Sequence, residues 1–231
     1  MIVVATVVAL RPEDTYALVD DARQVSFLQQ ECRIYGSPEG VSATATAAPP
    51  RLRLALEEMA VGVAKGFLRL DVADKEEQIL AEEITRELAS NKKCRDGNRD
   101  ATWILPQQRR GRLRVFWDLW DRGYIVTFGS KFGADFLIYK ANPKTSHAVA
   151  LVVVKGYEED FARVDVVSFC RVAKMVKKQL IFASVRVNEE NKSEGDQKGD
   201  SSNREAQEDV DSVVYVSLTH ALLVSRQEES G

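Results

Sequence analysis

Hydrophobic and polar positions follow strand-like and helix-like periods in turn along the first part of the chain. The runs MIVVATVVAL and YALVD are short and apolar, which predicts two strands. DARQVSFLQQECRI then places Val25, Leu28 and Cys32 at helical spacing, and IYGSPEGVSATATAAPP predicts a loop. The following stretch, LRLALEEMAVGVAKGFLRL, predicts a short helix and a strand. These elements indicate a small α/β domain over residues 1–70.

A charged segment over residues 71–102 separates this domain from the rest of the chain. DKEEQILAEEITRELAS places Ile79, Leu80, Ile84 and Leu88 on one stripe, which predicts a helix, and NKKCRDGNRD then breaks the pattern. Packing of this stripe against its own domain is a simpler interpretation than packing against a partner. We therefore interpret the segment as a helix and linker at a domain boundary.

Helix-like and strand-like patterns resume in residues 103–225. VFWDLWDRGYIVTFG predicts a helix, a turn at Gly123 and a strand, and KFGADFLIY and HAVALVVVK predict a hairpin across the polar turn KANPKTS. DVVSFCRVAKMVK predicts a helix, QLIFASVRV a buried strand, and SVVYVSLTHALLV the last strand. Residues 188–211 have almost no apolar side chains, which predicts a disordered acidic insert.

Charge is distributed unevenly, and the overall net charge of −3 hides this. Residues 101–187 hold 15 Lys and Arg against 7 Asp and Glu, whereas residues 188–211 hold 3 against 9. A basic domain can hold phosphates by displacing their counterions, but lysines and arginines also simply solvate a surface. Charge alone therefore leaves nucleic-acid binding and a solvated surface as equal alternatives.

Several features bear on the cellular setting. The apolar start lacks a basic flank and a cleavage site, so we interpret it as a first strand and not as a signal peptide. No run reaches 18 apolar residues, so we expect no membrane span. Cys32, Cys94 and Cys170 are scattered and form no CxxC pair, which argues against a disulfide framework and a zinc site. We expect a reducing, intracellular compartment.

Three side chains with acid–base or cationic chemistry fall near one end of the predicted C-terminal sheet. Tyr139 ends one strand of the predicted hairpin, and His147 opens the next. Lys178 lies where the following helix gives way to a strand, and a βαβ-like return places that junction at the same rim. Because strand side chains alternate, Tyr139 need not be buried with Phe136 and Ile138.

Tyr, His and Lys together suit metal-free cleavage of RNA by its own 2′-hydroxyl. Histidine acts as acid or base near neutral pH, and lysine supplies a fixed charge for the phosphorane-like transition state. A tyrosine hydroxyl is a poor base unless a neighbouring cation activates it, and Lys178 is such a cation. This chemistry needs no cofactor and no metal. Such a trio also occurs by chance, so from spacing alone it stays a hypothesis.

Residues 113–155 resemble the signature of the tRNA-splicing endonuclease catalytic domain. That pattern is an apolar helix, a Gly-Tyr/Phe turn, a Lys-Phe-Gly-x-Asp-Phe-apolar-apolar-Tyr run, a Pro turn and His-Ala. The matching residues are Gly123, Tyr124, Lys131, Phe132, Gly133, Asp135, Phe136, Tyr139, Pro143, His147 and Ala148. VKKQL around Lys178 is similar to the motif of the family's catalytic lysine, and VVYVSL resembles its last strand. The stretch from YALVDDARQV through LRLALEEMAVGV resembles the N-terminal domain of the eukaryotic subunit that cuts the 3′ splice site.

The resemblance implies a fold, an activity and an assembly. The fold is α/β (α+β), with a small mixed N-terminal domain and a catalytic domain whose restriction-endonuclease-like mixed sheet is flanked by helices. The activity is cleavage of precursor tRNA at the 3′ splice site, leaving a 2′,3′-cyclic phosphate and a 5′-hydroxyl, with Tyr139, His147 and Lys178 as the triad. The assembly is a heterotetramer with a second catalytic subunit and two structural subunits. We expect a nuclear enzyme, with an organelle surface as the alternative address.

The resemblance also implies side chains that grip RNA. The family holds a flipped intron base at the partner's cut site with an Arg and a Trp, and these positions correspond to Arg171 and His220. Arg171 fits, whereas His220 departs from the usual Trp and offers less aromatic area for stacking. A gripping His220 and an incidental surface histidine are equal alternatives. Lys177 is a candidate phosphate contact, although the solvent face of a helix is the simpler interpretation.

Three other classes compete with this interpretation. A metal-dependent restriction-type nuclease would use Asp135 and Lys155, but Val153 stands where a second carboxylate is needed, which leaves a Mg²⁺ site short of ligands. A non-catalytic structural subunit of the same complex would keep the fold without the triad. A stand-alone RNA-binding module would need the basic domain but not His147.

Overall fold

The computed structural model describes residues 1–8, 15–39, 51–71, 107–186 and 212–218, which form two five-stranded sheets and four helices. The N-terminal elements are β1 (Val3–Val8), β2 (Tyr16–Val19), α1 (Ala22–Gln30), β3 (Ser37–Glu39), β4 (Arg51–Leu54), α2 (Leu56–Ala64) and β5 (Leu68–Asp71). The C-terminal elements are α3 (Gln107–Asp121), β6 (Ile125–Phe128), β7 (Phe136–Tyr139), β8 (Ala150–Val154), α4 (Arg163–Met175), β9 (Gln179–Arg186) and β10 (Ser212–Leu218). This mixed architecture confirms the predicted fold class.

The N-terminal sheet has the strand order β3-β4-β2-β1-β5, with β1 and β5 parallel and the other pairs antiparallel. Every second residue of β1, β2 and β4 is buried, because successive side chains of a strand point to opposite faces. The buried residues share one apolar core with α1 and α2, and they are Val3, Ala5, Val7, Ala17, Val19, Leu52 and Leu54.

Capping bonds fix the starts of the two N-terminal helices. The Asp21 side chain accepts from two backbone N–H groups in the first turn of α1, at 2.7 and 3.1 Å. At the start of α2, the buried Glu58 carboxyl accepts from the N–H groups of Ala55 (3.0 Å) and Gly36 (2.8 Å). Burial raises the pKa of Glu58 to about 7, and the backbone N–H groups offset only part of that effect.

The C-terminal sheet has the strand order β10-β9-β8-β7-β6, in which only the β8–β9 pair is parallel. Helix α4 connects β8 to β9, so this part of the chain is the predicted βαβ return. Helix α3 covers one face of the sheet with Phe116 packed against Phe136, and α4 covers the other face with Phe169 packed against Phe182. The sheet is therefore buried on both sides, which explains the continuous apolar run of β8.

Arg33 joins the N-terminal part to the end of α3. Its guanidinium donates to the Trp120 carbonyl at 2.9 Å and lies 4.6 Å from the centroid of the Trp120 ring. The Trp120 indole N–H donates in return to the Cys32 carbonyl at 3.0 Å. Helix α3 ends at this point because Gly123 adopts a left-handed backbone, with φ of +93°. The two parts of the chain are thus held together by polar bonds around a shared apolar core.

A buried charge cluster forms a second polar connection between the two parts. Glu57 of α2 is fully buried and pairs with Arg109 and Arg112 of α3, each 3.3 Å from its Oε1. Arg112 also pairs with Asp135, which precedes β7. Removing one partner of such a buried cluster leaves an uncompensated charge, so the cluster constrains how α2 packs on α3.

The structure corrects two details of the predicted elements. Helix α1 ends at Gln30, so Cys32 is buried but lies beyond the helix that its spacing predicted. The stretch predicted as a loop contains the short strand β3, which pairs with β4. The predicted helix within 71–102 and the acidic insert 188–211 lie outside the described residues, and the predicted domain boundaries stay predictions. None of the four helices in the described ranges is long and apolar enough to cross a membrane.

Candidate active site

Segments of three neighbouring strands meet at one rim of the C-terminal sheet. Ile138 of β7, Ala150 of β8 and Gln179 of β9 are neighbours across the sheet. Backbone bonds from Val149 to Ile138 (2.8 Å) and from Gln179 to Val149 (3.2 Å) extend the pairing by one position. The next row across the three segments therefore consists of Tyr139, Val149 and Lys178.

This row faces the α4 side of the sheet. Each of its members is two positions from a residue of the core under α4, and strand side chains alternate. Neighbouring strands lie ~4.8 Å apart, so the Cα atoms of Tyr139 and Lys178 are separated by roughly 10 Å, with Val149 between them. Val149 is 37% exposed, and it forms an open apolar floor between the two longer side chains.

The end of α4 sets the position of Lys178. The N–H of Lys177 donates to the Lys174 carbonyl at 3.1 Å and the N–H of Lys178 to the Ala173 carbonyl at 2.9 Å, which are the two bonds of a Schellman motif. The motif requires a left-handed residue, and Lys177 supplies it with φ of +53°. The Lys178 Nζ donates to the Ala148 carbonyl at 3.1 Å. Since an ammonium group has three N–H donors, two remain for other acceptors.

His147 was predicted to open a strand, but β8 begins only at Ala150, so His147 lies in the loop between β7 and β8, where its side chain is exposed. Within the described part of the chain, no hydrogen bond or ion pair holds its imidazole. The backbone on either side is anchored: the Ser146 N–H donates to the Asn142 carbonyl at 2.9 Å, and the Ala148 carbonyl accepts from Lys178. The loop thus brings the backbone of His147 to the rim that carries the row.

The structure places Tyr139, His147 and Lys178 at one rim of the sheet, and their catalytic roles stay a prediction. Arg171 is on the exposed side of α4, and its guanidinium has no hydrogen bond or ion pair with any other described residue. Lys177 is also exposed. The remaining predicted RNA-binding residue, His220, lies outside the described residues.

The residues that a restriction-type metal nuclease would use have other partners. The Asp135 carboxylate accepts from the Val154 N–H at 2.7 Å and pairs with Arg112 through its second oxygen. The Lys155 Nζ pairs with Glu159 at 2.7 Å. Asp135 also precedes β7, at the end opposite to Tyr139. Among the described residues, no group of three or more His, Cys, Asp or Glu could hold a metal ion.

Three residues that shape this rim were not among the predicted site residues: Asn142, Ala148 and Val149. The pair Asn142-Pro143 carries a signal, because Asn is a preferred N-cap and Pro a preferred first residue of a helical turn. The role of the Ala148 carbonyl and the exposure of Val149 depend on strand register and on the end of α4. No local sequence pattern predicts those two features.

Comparison with known proteins places this rim inside a recognised domain. The family described as tRNA intron endonuclease, catalytic C-terminal domain, matches residues 110–193, which include Tyr139, His147 and Lys178. The chain is 38% identical over 82 residues to the tRNA-splicing endonuclease of Saccharolobus solfataricus, which covers 36% of the chain and 43% of that relative. It is 39% identical over 70 residues to the protein of the same name from Hyperthermus butylicus, covering 30% of the chain and 39% of the relative. The chain thus spans about two fifths of the length of these relatives.

Proposed function

We propose that this chain, whose residues 110–193 match the catalytic C-terminal domain of the tRNA intron endonuclease family, is the catalytic subunit that cuts precursor tRNA at the 3′ splice site. The observation that carries the proposal is the row at the sheet rim, which groups Tyr139 and Lys178 beside the loop of His147. The assignment to the 3′ site rests on the resemblance of the N-terminal part to the subunit that cuts there.

The proposed reaction is an in-line attack of the substrate's 2′-hydroxyl on the adjacent phosphorus. The 2′-oxygen forms a bond to phosphorus while the bond to the 5′-oxygen breaks, leaving a 2′,3′-cyclic phosphate and a 5′-hydroxyl. Tyr139 and His147 share the two proton transfers, one removing the 2′ proton and the other protonating the 5′-oxygen. Lys178 stabilises the negative charge that grows on the phosphoryl oxygens. Every group in this scheme comes from the chain or the RNA, so no cofactor and no metal takes part.

The proposed assembly is a heterotetramer with a second catalytic subunit and two structural subunits. Arg171, exposed on α4, suits contact with RNA at a partner's cut site, and His220 is its proposed companion. Lys177 is exposed beside Lys178 and contributes positive charge toward the RNA backbone. The proposed address is the nucleus, with an organelle surface as the alternative. The relatives are archaeal, so this address rests on the resemblance to the eukaryotic subunit alone.

The test is junction-resolved cleavage of an intron-containing precursor tRNA by the affinity-purified native complex. Complexes carrying the wild-type chain or His147→Ala are compared, both in EDTA. Wild type is expected to cut both junctions, and His147→Ala to slow the 3′ junction by at least ~10²-fold, because a positioned acid–base group contributes about that much. Mapping of the product ends should show a cyclic phosphate on the intron and a 5′-hydroxyl on the 3′ exon.

Three other results would each contradict a different part of the proposed function. If His147→Ala cuts both junctions at the wild-type rate, the chain is a structural subunit and not the catalyst. If it loses the 5′ junction instead, the site assignment is reversed. If EDTA alone abolishes cleavage, the metal-free mechanism is wrong.

A further inference from the structure

The loop that carries His147 is organised by its own side chains. It spans residues 140–149, between the last residue of β7 and the first of β8. Since no described residue bonds to the imidazole, the position of the ring depends on the backbone that holds it. The structure anchors that backbone at three points: the turn that begins at Asn142, the Ser146 side chain and the Ala148 carbonyl.

Asn142 acts as the N-cap of a single helical turn. Its side-chain oxygen accepts from the Lys144 N–H at 2.9 Å, and its carbonyl accepts from the N–H groups of Thr145 (3.0 Å) and Ser146 (2.9 Å). Pro143 follows directly, and its fixed φ suits the first position of such a turn. The turn ends at Ser146, the residue immediately before His147.

Ser146 closes the turn from its other end. Its hydroxyl lies 2.8 Å from the Asn142 carbonyl and 3.0 Å from the Ala141 carbonyl, and it donates to this pair. On the far side of His147, the Ala148 carbonyl accepts from the Lys178 Nζ at 3.1 Å. The backbone of His147 is therefore fixed on both sides. The turn holds Ser146 before it, and the bond from Lys178 holds Ala148 after it.

The top of the turn also touches the N-terminal part of the chain. The Lys144 Nζ donates to the Gln29 side-chain oxygen at 2.9 Å, which ties the turn to α1. This bond is exposed and adds little energy alone. The turn is therefore held by a bond to the N-terminal part of the chain as well as by its own hydrogen bonds.

We propose that Asn142 and Ser146 are positioning residues that hold His147 in register with Tyr139 and Lys178. This inference rests on the proposed function, because it concerns how the same site is assembled. Neither side chain is proposed to touch the reacting atoms. Small displacements of a catalytic group can cost up to ~10²-fold in rate, so loosening the turn should slow chemistry without weakening RNA binding.

The experiment measures single-turnover cleavage at the 3′ junction by purified complexes containing the full-length chain. Ser146→Ala removes the closing hydroxyl, and Asn142→Ala independently removes the N-cap. Ser146→Thr keeps the hydroxyl, and Asn142→Ser keeps a side-chain oxygen that can cap the turn, so these two variants serve as conservative rescues. Ser168→Ala is the matched control, since the Ser168 hydroxyl also donates to a backbone carbonyl at 2.8 Å but lies on the exposed surface of α4.

The expected result is a roughly tenfold lower rate of chemistry for Ser146→Ala and for Asn142→Ala, with the RNA concentration at half-maximal rate and the thermal midpoint unchanged. The two conservative variants and Ser168→Ala should remain within about twofold of wild type. The positioning role is overturned if both alanine variants cut at the wild-type rate, or if rate, RNA affinity and thermal midpoint fall together. His147→Ala in the same series separates the two proposals. If His147→Ala also cuts at the wild-type rate, the proposed function itself is wrong, and not only the positioning role.

Discussion

The Lys178 Nζ donates to the Ala148 carbonyl at 3.1 Å, so the side chain proposed to supply positive charge is bonded to the residue that follows His147. This bond joins two residues that are 30 positions apart in the chain. It exists because β8 and β9 are parallel neighbours and α4 returns the chain to the rim where β8 begins. The geometry of the rim therefore depends on how α4 ends.

The left-handed residue at that end predicts a gain in stability on substitution with glycine. A left-handed backbone costs a residue with a Cβ about 1 kcal/mol, and glycine avoids this cost. Lys177→Gly should therefore raise the free energy of unfolding by up to about 1 kcal/mol, while Lys177→Val should lower it, because β-branched residues tolerate this region least. The urea midpoint of the full-length chain measures both effects. If the glycine variant is less stable than the valine variant, the backbone strain assigned to Lys177 is absent.

Asp135 is predicted to act in stability and not in catalysis. Asp135→Asn replaces one accepting oxygen by an amide nitrogen, so either the Val154 N–H or Arg112 loses its partner, at a cost of about 2 kcal/mol. The thermal midpoint should fall, while cleavage in EDTA at a permissive temperature stays near the wild-type rate. Asp160→Asn, on an exposed stretch, is the control. An Asp135→Asn complex with normal stability and no activity would instead revive the metal-nuclease interpretation.

Glu58 predicts a pH dependence of stability. Burial raises its pKa from 4.5 to about 7, so the folded state holds the proton more tightly than the unfolded state between those pH values. The contribution of Glu58 to stability is therefore fully present below about pH 4.5 and is lost as pH rises to about 7, a change on the order of 3 kcal/mol.

Glu58→Gln provides the measurement, because its side chain does not titrate. The variant should be less stable throughout, since an amide nitrogen cannot accept from Ala55 or Gly36, but its stability should fall less steeply than that of wild type between pH 4.5 and 7. Urea unfolding at several pH values gives both slopes. Equal slopes for variant and wild type would show that the carboxyl does not hold its proton in this window.

Arg33 is predicted to stabilise the packing of the two sheets. Arg33→Met keeps much of the side-chain length but removes the bond to the Trp120 carbonyl and the charge over its ring, which should cost about 2 kcal/mol. Arg23→Met, on the exposed first turn of α1, should change stability by less than about 0.5 kcal/mol. Urea midpoints compare the two variants, and an equal effect of both would contradict the assigned role of Arg33.

Much of the C-terminal sheet follows from sequence, because its signals are local. The turn at Gly123 was predictable, since glycine is the usual left-handed residue after a helix. The equivalent turn at Lys177 was not, because a lysine there has no such signature and only the two Schellman bonds reveal it. Helical periodicity also wrongly placed Cys32 in α1. Cys32 is buried by tertiary packing after α1 has ended.

Some residues of the candidate site could also be predicted from the sequence, and others could not. Tyr139, His147 and Lys178 stand out by their chemistry, and strand order then explains why they share a rim. Ser146 does not stand out, because polar residues are ordinary in a turn, and Asn142 is marked only by the Asn-Pro pair that favours a helical turn. The Gln29–Lys144 bond joins positions 115 apart and has no counterpart in any local pattern.

The most direct test of the central claim is single-turnover cleavage at the 3′ junction by complexes carrying His147→Ala, Lys178→Ala or both substitutions. If the two side chains act as one site, each single variant should lose at least ~10²-fold, and the double variant should be little slower than the worse single variant. Cleavage at the 5′ junction should stay at the wild-type rate in all three complexes. A double variant that still cuts the 3′ junction at the wild-type rate would contradict the account.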